Sequence, residues 1–183
     1  LLGMQERISK TRLNQLQYLF TAQMLPERLQ NPVAEPCSVL CATNNALQYQ
    51  NNLAVSPDLL QENTPHQLLA LYQAPNIAVA LAEGIKHCQH TWIVLAHQDV
   101  YLPQGWLADV QHAWHMAEQK LGRAIGVAGV AGMVQNAAGD FDFAGCAMDR
   151  IYTFLHSADQ LPAQAHSLDE LVLVYRRDRF IPE

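Results

Sequence analysis

The segment Thr91-Trp-Ile-Val-Leu-Ala-His-Gln-Asp-Val-Tyr-Leu-Pro103 decides how the chain is read. The apolar or small residues from Trp92 to Ala96 run straight into His97, Gln98 and Asp99. A continuous apolar run bounded by polar residues predicts a buried parallel strand. In open α/β sheets the ligand crevice lies outside the carboxyl ends of the strands, so a histidine and a carboxylate are delivered where a ligand should sit. Period-two alternation predicts that His97 and Asp99 face one way and Gln98 the other. Pro103 and Gly105 then end the strand and start the next element.

Similar punctuation continues on both sides. Cys37 to Thr43 reads as a first strand with Asn44 and Asn45 at its carboxyl end, and 66–72 as a second. Between them, Ser56-Pro57-Asp58 resembles a helix start. Residues 76–89 read as a helix with Ile77, Leu81, Ile85 and Cys88 on one face. The third strand is 91–100, and 105–121 is a long amphipathic helix carrying Trp106, Val110 and Trp114. Ile125 to Val134 is expected as a fourth, glycine-rich strand, 135–165 as irregular, and Leu168 to Tyr175 as the last strand before Arg176 and Arg177. Strands alternating with helices imply βαβ units, an α/β fold and a mainly parallel sheet flanked by helices. Residues 4–30 carry an imperfect helical stripe (Ile8, Leu13, Leu16, Leu19, Phe20, Met24) ended by Pro26, Pro32 and Pro36. The expected organisation is an N-terminal helix and linker over 1–35, then one domain over 36–183. The helix is an appendage on that domain, or a docking element for a preceding domain or partner.

Composition removes several function classes. The 183 residues are half hydrophobic and 15% charged, which suits a folded domain with a sizeable core. The formal charge is −6, and basic residues cluster only around Arg176, Arg177 and Arg179, so no nucleic acid is expected as a partner. No apolar run approaches the roughly 20 residues of a spanning helix. The four cysteines (Cys37, Cys41, Cys88, Cys146) form no CxxC and are expected to be reduced, in a cytoplasmic setting that extends to a peripheral place at the inner membrane. The chain opens Leu1-Leu2 with its first methionine at position 4, as a fragment, or a processed or renumbered start, would.

The familiar chemical motifs are missing. The first strand is followed by neither GxGxxG nor a Walker A loop, and there is no GxSxG elbow. Gly126, Gly129 and Gly132 have GxxGxxG spacing within a strand, where close packing against neighbours is the plain reading. The pairs His87/His90 and His112/His115 have i,i+3 spacing but no HExxH, and read as solvated helix faces. Asp99 differs, because a carboxylate just past an apolar strand has little to do in packing. It is a turn or cap residue, or a ligand for a hard cation that takes one or two carboxylates plus phosphate oxygens. His97 would add a nitrogen acceptable to Mn²⁺.

The segment from Trp92 to Pro103 resembles the HQDV signature of family 2-like glycosyltransferases of the GT-A fold, a Rossmann-related architecture. Three further segments fit in order: Ser38 to Asn45 as the opening strand and nucleotide loop, Ile125 to Gly132 as the strand after the HQD helix, and Leu168-Asp-Glu-Leu-Val-Leu-Val-Tyr-Arg-Arg177 as the strand bordering the acceptor side. The resemblance spans about residues 36–183. It implies a transferase that binds a nucleotide-sugar donor with Mn²⁺ or Mg²⁺ and passes a hexose-type sugar, with inversion, to a glycan or lipid-linked acceptor. Asp99 becomes the metal carboxylate and His97 orients or supplements it. Thr43, Asn44 and Asn45 would line the nucleoside pocket, and Asp169 and Glu170 would lie near the donor sugar or acceptor as fallback catalytic carboxylates. Two departures stand out. Ala82 occupies a position where relatives often carry asparagine, and the sequence stops at Glu183, before the acidic segment that usually supplies the base. Two alternatives follow: a glycosyltransferase-like binding or assembly module without turnover, and an unrelated nucleotide-binding α/β protein.

Overall fold

A computed structural model describes residues 33–145 and 164–179. The expected N-terminal helix at 4–30, Cys146 and most of the stretch expected to be irregular lie outside the described residues.

The first apolar run forms β1 (Cys37–Thr43), and the next forms β2 (Gln67–Tyr72). Between them lie the short helix α1 (Ala46–Asn51), a 3-10 turn (Leu53–Val55) and α2 (Pro57–Leu60). Then come α3 (Ile77–His87), β3 (Trp92–Ala96) and α4 (Trp106–Leu121). The remaining strands are β4 (Val127–Gly129), β5 (Ala131–Gln135), β6 (Phe141–Gly145), β7 (Ser167–Leu168) and β8 (Val172–Arg176).

The main sheet has the order β2-β1-β3-β8-β4. β1 pairs in parallel with both β2 and β3, while β8 runs antiparallel to β3 and β4. The fold is therefore α/β with a mixed sheet, in which one reversed strand interrupts the parallel set. Trp92, Val94 and Ala96 share one face with Val39, Cys41, Val172 and Val174, and there they meet Leu107 and Trp114 of α4. Ile93 points to the opposite face, where it packs with Tyr175, Cys88 and Ile85 at the end of α3. Strands covered on both faces need apolar side chains on both, which explains the unbroken run from Trp92 to Ala96. On the α4 side, the Trp92 and Trp114 rings meet edge to face at 5.3 Å. On the α3 side, Gly84 lets the helix approach, since a Cβ there would lie 2.5 Å from Leu40 Cδ1.

Three expectations need correction. The strand expected over Ile125 to Val134 is two strands in two different sheets, since β4 belongs to the main sheet and β5 to a second sheet of order β6-β5-β7. The change falls at Val130, whose N–H still donates to Val172 while the following residues pair with β6 and β7. The strand expected over Leu168 to Tyr175 divides in the same way into β7 and β8. There Asp169 Oδ1 accepts from Leu171 N at 2.8 Å and turns the chain. The stretch expected to be irregular contains β6, joined to β5 by a hairpin in which Asn136 Oδ1 accepts from the N–H groups of Ala138 and Asp140, with Gly139 at φ 91°.

The close-packing reading of the glycine triplet holds at two of its three positions. A Cβ on Gly132 would collide with the Ser167 carbonyl, and one on Gly129 would press on Leu168, whereas Gly126 has open space around it.

Candidate functional site

The order β2-β1-β3 places successive strands on opposite sides of β1. The chain leaves β1 for β2 on one flank and later returns to the other flank as β3. That reversal makes a switch point between β1 and β3, the place where open α/β sheets hold a ligand crevice. Thr43, Asn44 and Asn45 lie on one side of it. His97, Gln98 and Asp99 lie on the other.

β3 ends at Ala96, and the chain then turns: Val100 N donates to His97 O at 3.1 Å, and His97 N is held by Leu171 O at 3.0 Å. His97 and Asp99 do meet, with Nδ1 and Oδ1 2.5 Å apart and both side chains more than a third exposed. Since the strand has already ended, a tight turn brings them together, not period-two alternation. The second carboxylate oxygen, Oδ2, accepts from Gln48 Nε2 at 3.3 Å.

Gln98 takes the face opposite His97, as alternation predicts: His97 lies over Leu40 and Leu95, whereas Gln98 folds into the β1 loop beside Thr43, only 8% exposed. Its Oε1 accepts from Thr43 Oγ1 at 2.6 Å and from the backbone N–H groups of Asn44 and Asn45 at 3.1 and 3.2 Å. Its Nε2 donates to Asn44 Oδ1 at 3.1 Å and Gln48 Oε1 at 3.2 Å. Both ends of this buried amide are thus satisfied, as burial of a polar group demands. Neither Gln98 nor Gln48 is among the residues picked out from the sequence. A signal for Gln98 exists in retrospect. A loop that opens with the consecutive N–H groups of Asn44 and Asn45 needs an acceptor, and Gln98 follows the adjacent strand.

The remaining expected residues divide by role. Thr43 is buried; its hydroxyl donates to Gln98 and accepts from Asn45 N at 3.2 Å. Asn45 caps α1, accepting from Gln48 N at 3.1 Å. Asn44 is exposed at the crevice. Asp169 and Glu170 are also exposed, but Asp169 closes its own turn onto Leu171. Glu170 instead lines, with His97, an apolar recess of about 120 Å³ walled by Leu40, Leu81, Leu95 and Leu173. Ala82 is exposed on α3.

Among the described residues no third His, Cys, Asp or Glu joins His97 and Asp99 in a cluster able to enclose a metal ion. Asp99 alone supplies the oxygen chemistry that a cation of the Mg²⁺ type takes from one or two carboxylates, waters and a phosphate-bearing ligand, while His97 Nδ1 is engaged by the same carboxylate. The pair does not fit a structural zinc site, which needs four protein ligands. Cys41, below the site, is an inert core residue: burial, reinforced by the charge of Asp99, pushes its thiol up to about 12.

Neither a protein-family model nor a curated protein sequence matches the chain. The class that fold and site define is a mixed α/β domain with a polar crevice at the switch point of its sheet. Among the described residues no helix is long and apolar enough to cross a membrane.

Proposed function

We propose that the chain is a nucleotide-sugar-binding domain of GT-A type, related to family 2 glycosyltransferases, which takes Mn²⁺ or Mg²⁺ with its donor. In its active form it would transfer a hexose-type sugar to a glycan or lipid-linked acceptor. One observation carries this reading: an exposed carboxylate, Asp99, stands beside His97 past the carboxyl end of β3, next to the residues that follow β1. The mixed sheet with its single reversed strand agrees with a Rossmann-related architecture.

In this reading Asp99, oriented by His97, holds the cation, whose chemistry is to neutralise the departing diphosphate. The β1 loop receives the nucleoside on a rigid backbone, because Gln98 bonds the Thr43 hydroxyl, the Asn44 side chain and the N–H groups of Asn44 and Asn45. Of the two fallback carboxylates, Glu170 is the better placed for the acceptor side, since it shares a recess with His97. The Asp169 carboxylate is committed to its turn.

That commitment, together with Ala82 in place of asparagine, favours a second reading: a glycosyltransferase-like binding or assembly module without turnover. A thermal-shift screen of UDP-, GDP-, CMP- and dTDP-sugars, with and without Mn²⁺, tests what both readings share. A ligand at 100 times its Kd stabilises by about 2.7 kcal/mol. A Mn²⁺-dependent shift with one nucleotide family is expected. No shift with any of them would leave an unrelated α/β protein. Acceptor-dependent release of nucleoside diphosphate then separates the transferase from the module.

A further inference from the structure

We infer that Gln98 and Gln48 form a relay of two side-chain amides through which the β1 loop sets the side of Asp99 that is open to a cation, making Gln98 the positioning residue of the crevice. The inference rests on the reading of Asp99 as the cation's carboxylate.

A backbone N–H can only donate, so the N–H groups of Asn44 and Asn45 fix the Gln98 amide with Oε1 toward them. Nε2 must then point at Gln48 and meets its Oε1. The Gln48 amide is thereby oriented in turn, and its Nε2 is left to face Asp99 Oδ2. The donor character of the loop is carried across two amides and arrives at the carboxylate as a donor. His97 occupies the other oxygen at 2.5 Å.

A consequence follows for ligand binding. A cation approaching Oδ2 must displace the Gln48 donor, and at 3.3 Å this is the longest bond of the chain and the first to yield. When Gln48 swings out, Gln98 Nε2 loses one of its two acceptors, and the change reaches the backbone amides of Asn44 and Asn45. Cation capture and nucleoside-loop order are therefore coupled, and such coupling is reciprocal.

The test compares amide spectra of the ¹⁵N-labelled full chain in wild type, Asp99→Asn, Gln48→Leu and the double variant. Both substitutions fall on partly exposed side chains. Asp99→Asn is expected to move the Asn44 and Asn45 backbone signals, and to leave them in place when Gln48→Leu is already present. Unmoved Asn44 and Asn45 signals in Asp99→Asn overturn the relay. Equal movement in both backgrounds also overturns it, because the effect would then pass through space. Titration with Mn²⁺ alone, followed by electron paramagnetic resonance, is expected to show about fivefold tighter binding to Gln48→Leu than to wild type, since one competing hydrogen bond is gone. Unchanged or weaker binding contradicts the competition. If wild type takes up no Mn²⁺ at all, the cation reading of Asp99 falls with its corollary, while the Asn44 and Asn45 signals still decide the relay.

Discussion

Thr43 Oγ1 donates to Gln98 Oε1 at 2.6 Å, joining two residues 55 apart in sequence across the carboxyl ends of adjacent strands. Each is buried, and each also engages the N–H of Asn45. The bond closes the base of the crevice and holds the β1 loop against the turn that carries Asp99.

Thr43→Val keeps the shape of the side chain and removes both of its hydrogen bonds. Leaving a buried acceptor and the Asn45 N–H less satisfied is expected to cost about 1–3 kcal/mol, read as a lower urea midpoint at unchanged slope. A midpoint equal to that of wild type would remove the crevice base from the list of stabilising features.

The glycine triplet offers an internal control. Gly132→Ala is expected to destabilise by about 1–3 kcal/mol, because the new Cβ meets the rigid Ser167 carbonyl. Gly126→Ala, with nothing within 4 Å, should change stability by no more than about 0.5 kcal/mol. Equal effects at the two positions would contradict the pairing of β5 with β7.

His66 gives stability a pH dependence. Its Nδ1 accepts from Cys37 N at 3.2 Å. Burial lowers its pKa below 6.5, an effect opposed by Asp58 and aided by His90. The unfolded chain therefore takes up this proton first as the pH falls. The contribution of neutral His66 is complete above about 6.5 and is lost as the pH drops through the depressed folded value. Urea titrations at pH 7.5 and pH 5 should show a larger loss for wild type than for His66→Gln. An identical loss would mean that His66 is not the group responsible.

Cys37 and Cys41 are buried, and burial pushes both thiols up to about 12. A thiol held so far from ionisation is a poor nucleophile at neutral pH. Alkylation of the native chain at pH 8, mapped by mass spectrometry, should spare both, and addition of urea should expose both. Rapid native labelling of Cys41 would contradict the packing of the β1 face.

Where the determinants are local, the sequence is a good guide. β1, β2 and α4 fall within one residue of the expected bounds because apolar runs, helical periodicity and Gly105 are written into adjacent positions. Where structure depends on distant partners, the reading fails. Nothing near Val130 announces that the residues before and after it join different sheets, since that choice belongs to β8 and β6. The Asp169 turn was legible in principle: an aspartate two residues before Leu171 can accept from its N–H. At the site, the pairing of His97 with Asp99 was expected but its cause was not. Gln98 does lie opposite His97, but local alternation carries no sign that its side holds the β1 loop, a partner more than fifty residues away.

The central claim is that Asp99 carries a cation that helps to hold a nucleotide-bearing ligand. Titration calorimetry of wild type and Asp99→Asn with the nucleotide selected by thermal shift, each with and without Mn²⁺, tests it most directly. The account predicts that Mn²⁺ tightens nucleotide binding in wild type, that Asp99→Asn abolishes this Mn²⁺-dependent part, and that the urea midpoint of the variant stays within about 0.5 kcal/mol of wild type, as for a partly exposed side chain. Mn²⁺-dependent binding that persists undiminished in Asp99→Asn would contradict it.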